Sequence, residues 1–116
     1  MPFDTSVLDE AIAQRRRQNE QLRQTLLARV LQLLDELGPG YGIQQAYLFG
    51  SLVRPGRFHA KSDVDIAVEQ IDPTRFFEAM SEFANLLGRE VDLVELDKCH
   101  FARRIRERGI LWEKTI

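Results

Sequence analysis

The sequence predicts an α/β (α+β) domain: a mixed β-sheet of three to four strands with helices packed on it, preceded by a helical extension. Three observations lead there. Apolar residues recur at three- and four-residue steps from Leu22 to Leu37, the period of a helix with one buried face. Two short runs rich in β-branched and aromatic residues, Tyr47 to Phe49 and Val64 to Val68, are bounded by turn residues and read as strands. Strand, helix and strand then succeed one another from Val64 to Leu96, which implies a right-handed crossover and a parallel pair.

The first element is helical from residue 6 to residue 37. Ser6 with Asp9 three residues on forms a capping pair. Leu8, Ile12, Leu22, Leu26, Val30, Leu33 and Leu37 mark the stripe, and Gly38-Pro39-Gly40 stops it. From Gln14 to Gln21 the stripe lapses, which leaves open two helices or one long helix with a solvated middle. Residues 1–21 are expected to be an N-terminal helical extension and residues 22–116 the domain proper. Arg15-Arg16-Arg17 invites a nucleic-acid reading, but a solvated helix face is favoured because acids flank the run and the net charge is negative; a contact for a partner protein is the middle reading.

A glycine-containing turn from Tyr41 to Gln45 leads into the first strand. After the second strand, Asp72 caps a helix with Pro73 at its first position. Phe76, Phe77, Met80, Phe83, Ala84, Leu86 and Leu87 describe one buried face, and Gly88 ends the helix. A strand follows within Glu90–Leu96. Asp97 is expected to cap a last helix reaching Arg108, with Phe101 and Ile105 facing inward. Gly109 ends it, and Ile110-Leu111-Trp112 is a short closing strand. Cys99-His100 lacks the further ligands at suitable spacing that a metal pair needs.

Composition narrows the function. At 116 residues the chain forms one domain, and its 44% apolar content is that of an ordinary soluble protein. A net charge of −2 gives no electrostatic footprint for nucleic acid, so a polynucleotide substrate is not favoured. The start, MPFDTSVLDE, has no secretory layout, and no apolar run approaches the ~18 residues of a membrane span. One cysteine, Cys99, excludes an internal disulfide. A cytoplasmic protein is expected.

The chemistry concentrates between Ala46 and Val68, AYLFGSLVRPGRFHAKSDVDIAV. The first strand ends at Gly50-Ser51, a loop rich in Arg, Lys and Gly follows, and the second strand begins with Asp63 and Asp65. Alternation puts these two carboxylates on one face, about 6.6 Å apart along the strand. Such a pair calls for a cation between its members, Mg²⁺ above all. Gly50 lets backbone approach a ligand closely, and Ser51 offers a hydroxyl and an amide to a phosphate. The parallel pair brings Asp92, at the start of its own strand, to the same edge. Gly50-Ser51 reaches that edge only if the first strand runs antiparallel to the other two. Asp-x-Asp and Gly-Ser are each common on solvated strand ends and turns; their joint appearance is the specific signal.

That combination resembles the minimal nucleotidyltransferase (MNT) domain of the polymerase-β-type superfamily. The family pattern of Gly-Ser, Asp-x-Asp and a third Asp on a later strand matches Gly50, Ser51, Asp63, Asp65 and Asp92, and the resemblance covers residues 22–116. There is one departure. The family carries Arg-Gly after the serine and a loop one residue shorter; here Pro55 splits Arg54 from Gly56.

The resemblance implies a polymerase-β-like fold and transfer of AMP from ATP. Asp63 and Asp65 would hold a pair of Mg²⁺ ions, with Asp92 completing the nearer site and helping to deprotonate the attacking hydroxyl. Gly50 and Ser51 would grip the outer phosphates, with Arg54, Arg57 or Lys61 neutralising them. Proteins of this kind often act as antitoxins that modify a tyrosine on a HEPN-type ribonuclease toxin encoded beside them. The implied partner is therefore such a toxin from an adjacent gene, in a hetero-oligomer. A chain with no room for a separate acceptor-binding domain fits a protein acceptor. Two alternatives stand beside this one: a module that neutralises the toxin by contact alone, and a nucleotidyltransferase acting on a small molecule.

Overall fold

The structure, a computed structural model, describes residues 4–115. Its elements are α1 (Ser6–Leu37), β1 (Gln45–Phe49), β2 (Val64–Val68), α2 (Phe76–Leu87), β3 (Val91–Glu95), α3 (Ala102–Arg108) and β4 (Ile110–Glu113). Residues 1–3 and 116 of the expected divisions lie outside the described residues.

Of the two readings of the first segment, the single long helix is the observed one. α1 runs unbroken for 32 residues, because the polar stretch from Gln14 to Gln21 contains no Gly or Pro and consists mainly of good helix formers. Its buried residues start only at Leu26 and continue with Val30, Leu33 and Leu34. At the other end Val7, Leu8 and Ile12 stand exposed. The start of the helix differs from the expected Ser6–Asp9 pair. Thr5 precedes it, donating from its hydroxyl to the Asp9 carboxylate at 3.0 Å, while the Ser6 amide donates to Asp4 at 2.9 Å. Asp4 lies close enough to take the first free amide, so the capping shifts toward the N-terminus.

The four strands form one mixed sheet in the order β3-β2-β1-β4. β1 runs antiparallel to β2, with Phe49 opposite Asp65, and antiparallel to β4, with Gln45 opposite Glu113. β2 and β3 are parallel, pairing Val64 with Val91 and Asp65 with Asp92. This is the mixed sheet the sequence predicts, at the upper end of the expected strand count.

Alternation along the strands divides the core between the two faces. Ala46, Leu48, Val64, Ile66, Val68, Val91, Leu93 and Trp112 pack with Leu33 and Leu34 of α1 and Ala79 and Phe83 of α2. Tyr47, Phe49, Ala67 and Val94 face the other way, against Ala102 and Ile105 of α3. Truncating a fully buried leucine such as Leu34 to alanine costs about 2–5 kcal/mol in such a core. The Trp112 indole donates to Asp35 of α1 at 2.7 Å, which ties the last strand to the first helix.

Two helices depart from expectation. Asp72 does cap the segment before α2, accepting from the Thr74 amide at 3.0 Å, but Pro73–Arg75 is a 3-10 turn and α2 itself begins at Phe76. Phe77 is 73% exposed because it sits about 200° around the helix from Ala79. Leu86 is exposed too and joins neither core cluster. The last helix is shorter than expected. Asp97 falls in a separate 3-10 turn, Leu96–Lys98, and caps nothing in α3. Phe101 precedes α3 in a non-helical conformation, so Ala102 and Ile105 carry the inward face and Phe101 remains exposed.

The N-terminal half of α1 gives the molecule its shape. The extents are 65 × 28 × 25 Å and the radius of gyration is 17.0 Å, against about 13 Å for a compact domain of this length. Among the described residues no helix is long and apolar enough to cross a membrane.

Candidate active site

Gly50 stands at the centre of the site because of where β1 ends. Its neighbour Phe49 is the register partner of Asp65, so the chain turns away from the sheet directly beside that carboxylate. The turn needs φ +75° at Gly50, a left-handed conformation that L side chains rarely adopt. There is also no room for a side chain: a Cβ on Gly50 would lie 2.1 Å from Asp65 Oδ2. Gly50–Val53 then forms a 3-10 turn.

Asp65 is half-buried at the head of β2, with Asp92 beside it on β3 and Asp63 two residues before it. Burial pushes its carboxyl up to about 6, and the charges of Asp92 and then Asp63 add to the shift. Asp63 and Asp92 are exposed, and the structure gives neither side chain a hydrogen-bond partner among the described residues. No three His, Cys, Asp or Glu side chains among the described residues converge closely enough, as they stand, to hold a metal ion. The donor set nonetheless fits a hard divalent cation: the ligands are all carboxylate oxygens, a neighbouring positive charge would relieve the strain on Asp65, and the two exposed acids are free to turn toward it.

The basic residues separate. Arg54 lines a cavity of about 270 Å³ that opens beside Gly50, shared with Phe49, Phe101, Arg104 and Arg108. Arg57 and Lys61 are exposed on the loop, and among the described residues neither side chain has a hydrogen-bond partner. Ser51 is half-buried within the 3-10 turn, its carbonyl accepting from the Arg54 amide at 3.0 Å.

Two arginines that the sequence reading missed hold the frame. Arg23 of α1 donates to the Leu52 carbonyl at 3.1 Å while forming a two-point ion pair with Glu20, whose carboxyl is lowered to about 2 chiefly by that bond. Arg89 donates to the carbonyls of Ser62 at 2.6 Å and Ala60 at 3.0 Å, fixing the chain just before Asp63. Its guanidinium also lies 5.4 Å from the centre of the Phe58 ring, and Phe58 is buried in the core, anchoring the long loop. Neither arginine has a local signal, since both act on carbonyls distant in sequence.

A mixed sheet with a glycine turn pressed against an acid at the head of its second strand, and two further acids flanking that one, defines a nucleotidyltransferase domain of the polymerase-β type. Residues 32–114 match the family described as Polymerase beta, Nucleotidyltransferase, and the chain belongs to that family. Solved structures agree. A toxin–antitoxin crystallised with AMP-PNP is 32% identical, with TM-score 0.52 over 63% of this chain and 62% of that one. The toxin–antitoxin MntA-HepT is 27% identical, with TM-score 0.54 over 79% and 73%. A protein from Shewanella oneidensis, 23% identical with TM-score 0.50 over 74% and 71%, shares the fold. The chain thus spans less than two thirds of the first of these relatives. Comparison with curated proteins finds no match.

Proposed function

We propose that this nucleotidyltransferase moves AMP from ATP onto a hydroxyl, with a tyrosine as the preferred acceptor, of a HEPN-type ribonuclease toxin encoded beside it, and so acts as an antitoxin in the cytoplasm. The observation that carries the reading is the half-buried Asp65, packed against Gly50 with Asp92 and Asp63 close enough to raise its carboxyl. The likeness to toxin–antitoxin structures, one of them with an ATP analogue, supports the partner and the nucleotide.

Asp63, Asp65 and Asp92 are the residues that would hold Mg²⁺. Bound there, the metal supplies Lewis acidity and neutralises phosphate charge. Asp92 takes the proton from the attacking hydroxyl. The acceptor oxygen then bonds to the α-phosphorus as the bond from that phosphorus to the bridging oxygen breaks, and pyrophosphate leaves. Gly50 and Ser51 orient the outer phosphates through amide and hydroxyl, with Arg54, Arg57 and Lys61 as the cations of the turn and loop. Residues 1–21 act outside this catalytic domain, as a contact for the partner.

The test is intact-mass measurement of the co-expressed ribonuclease after incubation with this chain and Mg·ATP. A gain of one adenylate, abolished by joint Asp63→Asn and Asp65→Asn substitution, is expected. The competing reading, neutralisation by contact alone, draws on the exposed apolar tip of α1. It predicts full protection of cells by the same double variant.

A further inference from the structure

We infer that the arginine-lined cavity beside Gly50 holds the outer phosphates of the nucleotide and the pyrophosphate that leaves, with Arg104 and Arg108 as binding residues alongside Arg54. This rests on the AMP-transfer reading and assigns residues of α3 to it.

The inference starts from how α3 uses its arginines. Arg103 is bonded to Glu107 at 3.0 Å, and Arg106 to Glu69 at 2.6 Å. Arg104 and Arg108 have no such partner among the described residues. They stand four apart on one helical face, which Phe101 extends by a turn. That face lines the cavity with Gly50 and Arg54, and among the described residues no carboxylate contributes to the lining. Three arginines thus line a cavity of about 270 Å³.

Gly50 belongs to both halves of the site. Its Cα lies against Asp65, and it also lines the cavity. The same glycine therefore touches a carboxylate and borders a cavity lined by arginines. Mg·ATP has the complementary arrangement, a divalent cation bridged to an extended phosphate anion. Guanidinium is the side chain best shaped for such oxygens, because its planar fork donates two parallel hydrogen bonds to a phosphate. A base stacked on Phe101 would explain one aromatic ring but not three unpaired cations.

The experiment titrates Mg·ATP, Mg·pyrophosphate and AMP into the full chain by calorimetry. Arg104→Gln with Arg108→Gln should weaken Mg·ATP and Mg·pyrophosphate by roughly tenfold, equivalent to about 1.4 kcal/mol, and leave AMP within about twofold. Lysine at both positions should restore part of the loss. Arg103→Gln, on the same helix but paired with Glu107, should change neither. Both arginines are exposed, so the melting temperature should match the parent's. Equal weakening of AMP would assign the cavity to the base and overturn the inference. So would unchanged Mg·ATP affinity in the glutamine variant, and that result leaves the transfer reading standing. A parent chain that binds none of the three probes would defeat the transfer reading, and this inference with it.

Discussion

A single methyl group tests the centre of the site. Gly50→Ala places a Cβ against the Asp65 carboxylate and forces an L side chain into a left-handed conformation. The backbone alone costs about 1–2 kcal/mol, and displacement of Asp65 adds to it. Urea unfolding should show a loss of about 1–3 kcal/mol, together with loss of Mg²⁺-dependent nucleotide binding. A variant as stable as the parent would mean the turn is not constrained as described. Asp65 itself gives a pH signature. Its carboxyl stands at about 6 in the folded chain against an ordinary 3.8. The folded state holds that proton more tightly than the unfolded chain, so the stabilisation is complete below pH 3.8 and lost as pH rises through 6. Asp65→Asn should therefore be more stable than the parent at pH 7.5 without divalent metal. Two units correspond to about 3 kcal/mol at most, and solvent screening brings the expected gain to about 1–2. Melting temperatures of the two chains should converge near pH 4; a gap independent of pH would point to another cause. That Gly50, Asp65 and Asp92 would meet at one edge of the sheet was legible, because strand pairing and the parallel crossover fix which positions share that edge. The contacts of Arg23 and Arg89 were not. An isolated arginine looks the same whether it meets solvent or a carbonyl across the fold.

At the scale of elements, the loop before β2 and the helix before β1 make separable predictions. Arg89 spans two carbonyls of the loop, so Arg89→Ala should loosen residues 58–62 while the sheet stays intact. Hydrogen exchange should quicken at Ser62, whose amide donates to the His59 carbonyl, with a global loss of about 1–3 kcal/mol. Uniform acceleration throughout the domain would show that Arg89 supports the core rather than the loop. α1 behaves differently along its length. Removing residues through 18 spares the Glu20–Arg23 pair and every buried position of the helix. The shortened chain should melt within a few degrees of the parent, and a molten product would place the arm in the core. The strands were readable in outline, and β2 begins and ends at the predicted residues because turn formers bound it on both sides. α3 was misread at its start. The sequence offers Asp97 as a cap, but the chain breaks again at Cys99–Phe101, and local preference gave no warning of that.

For the molecule as a whole, the arm dominates any measurement of size. Small-angle scattering of the full chain should give a radius of gyration well above the roughly 13 Å of a compact domain, falling toward that value once residues through 18 are removed. A full chain already at the compact value would mean that α1 folds back. The mixed sheet, with β1 antiparallel to the parallel pair, followed from the crossover rule and from the need to bring Gly50 to the acids; the place of β4 beside β1 did not. The projection of α1 did not follow, because a polar helix reads the same beside a surface as in open water.

The strand order also sets a timetable. β1 lies between β2 and β4, and its pairing with β4 joins Gln45 to Glu113. During synthesis the hairpin of β1 and β2 can close early, and β3 can join it on the β2 side. The free flank of β1, with its row of unpaired amides and carbonyls, waits for Ile110–Glu113. Until Trp112 emerges, Asp35 lacks its indole partner and the adjoining apolar face of the sheet is uncovered at that edge. A chain in which β4 has not yet paired therefore presents an open strand edge, the geometry most prone to pairing between molecules.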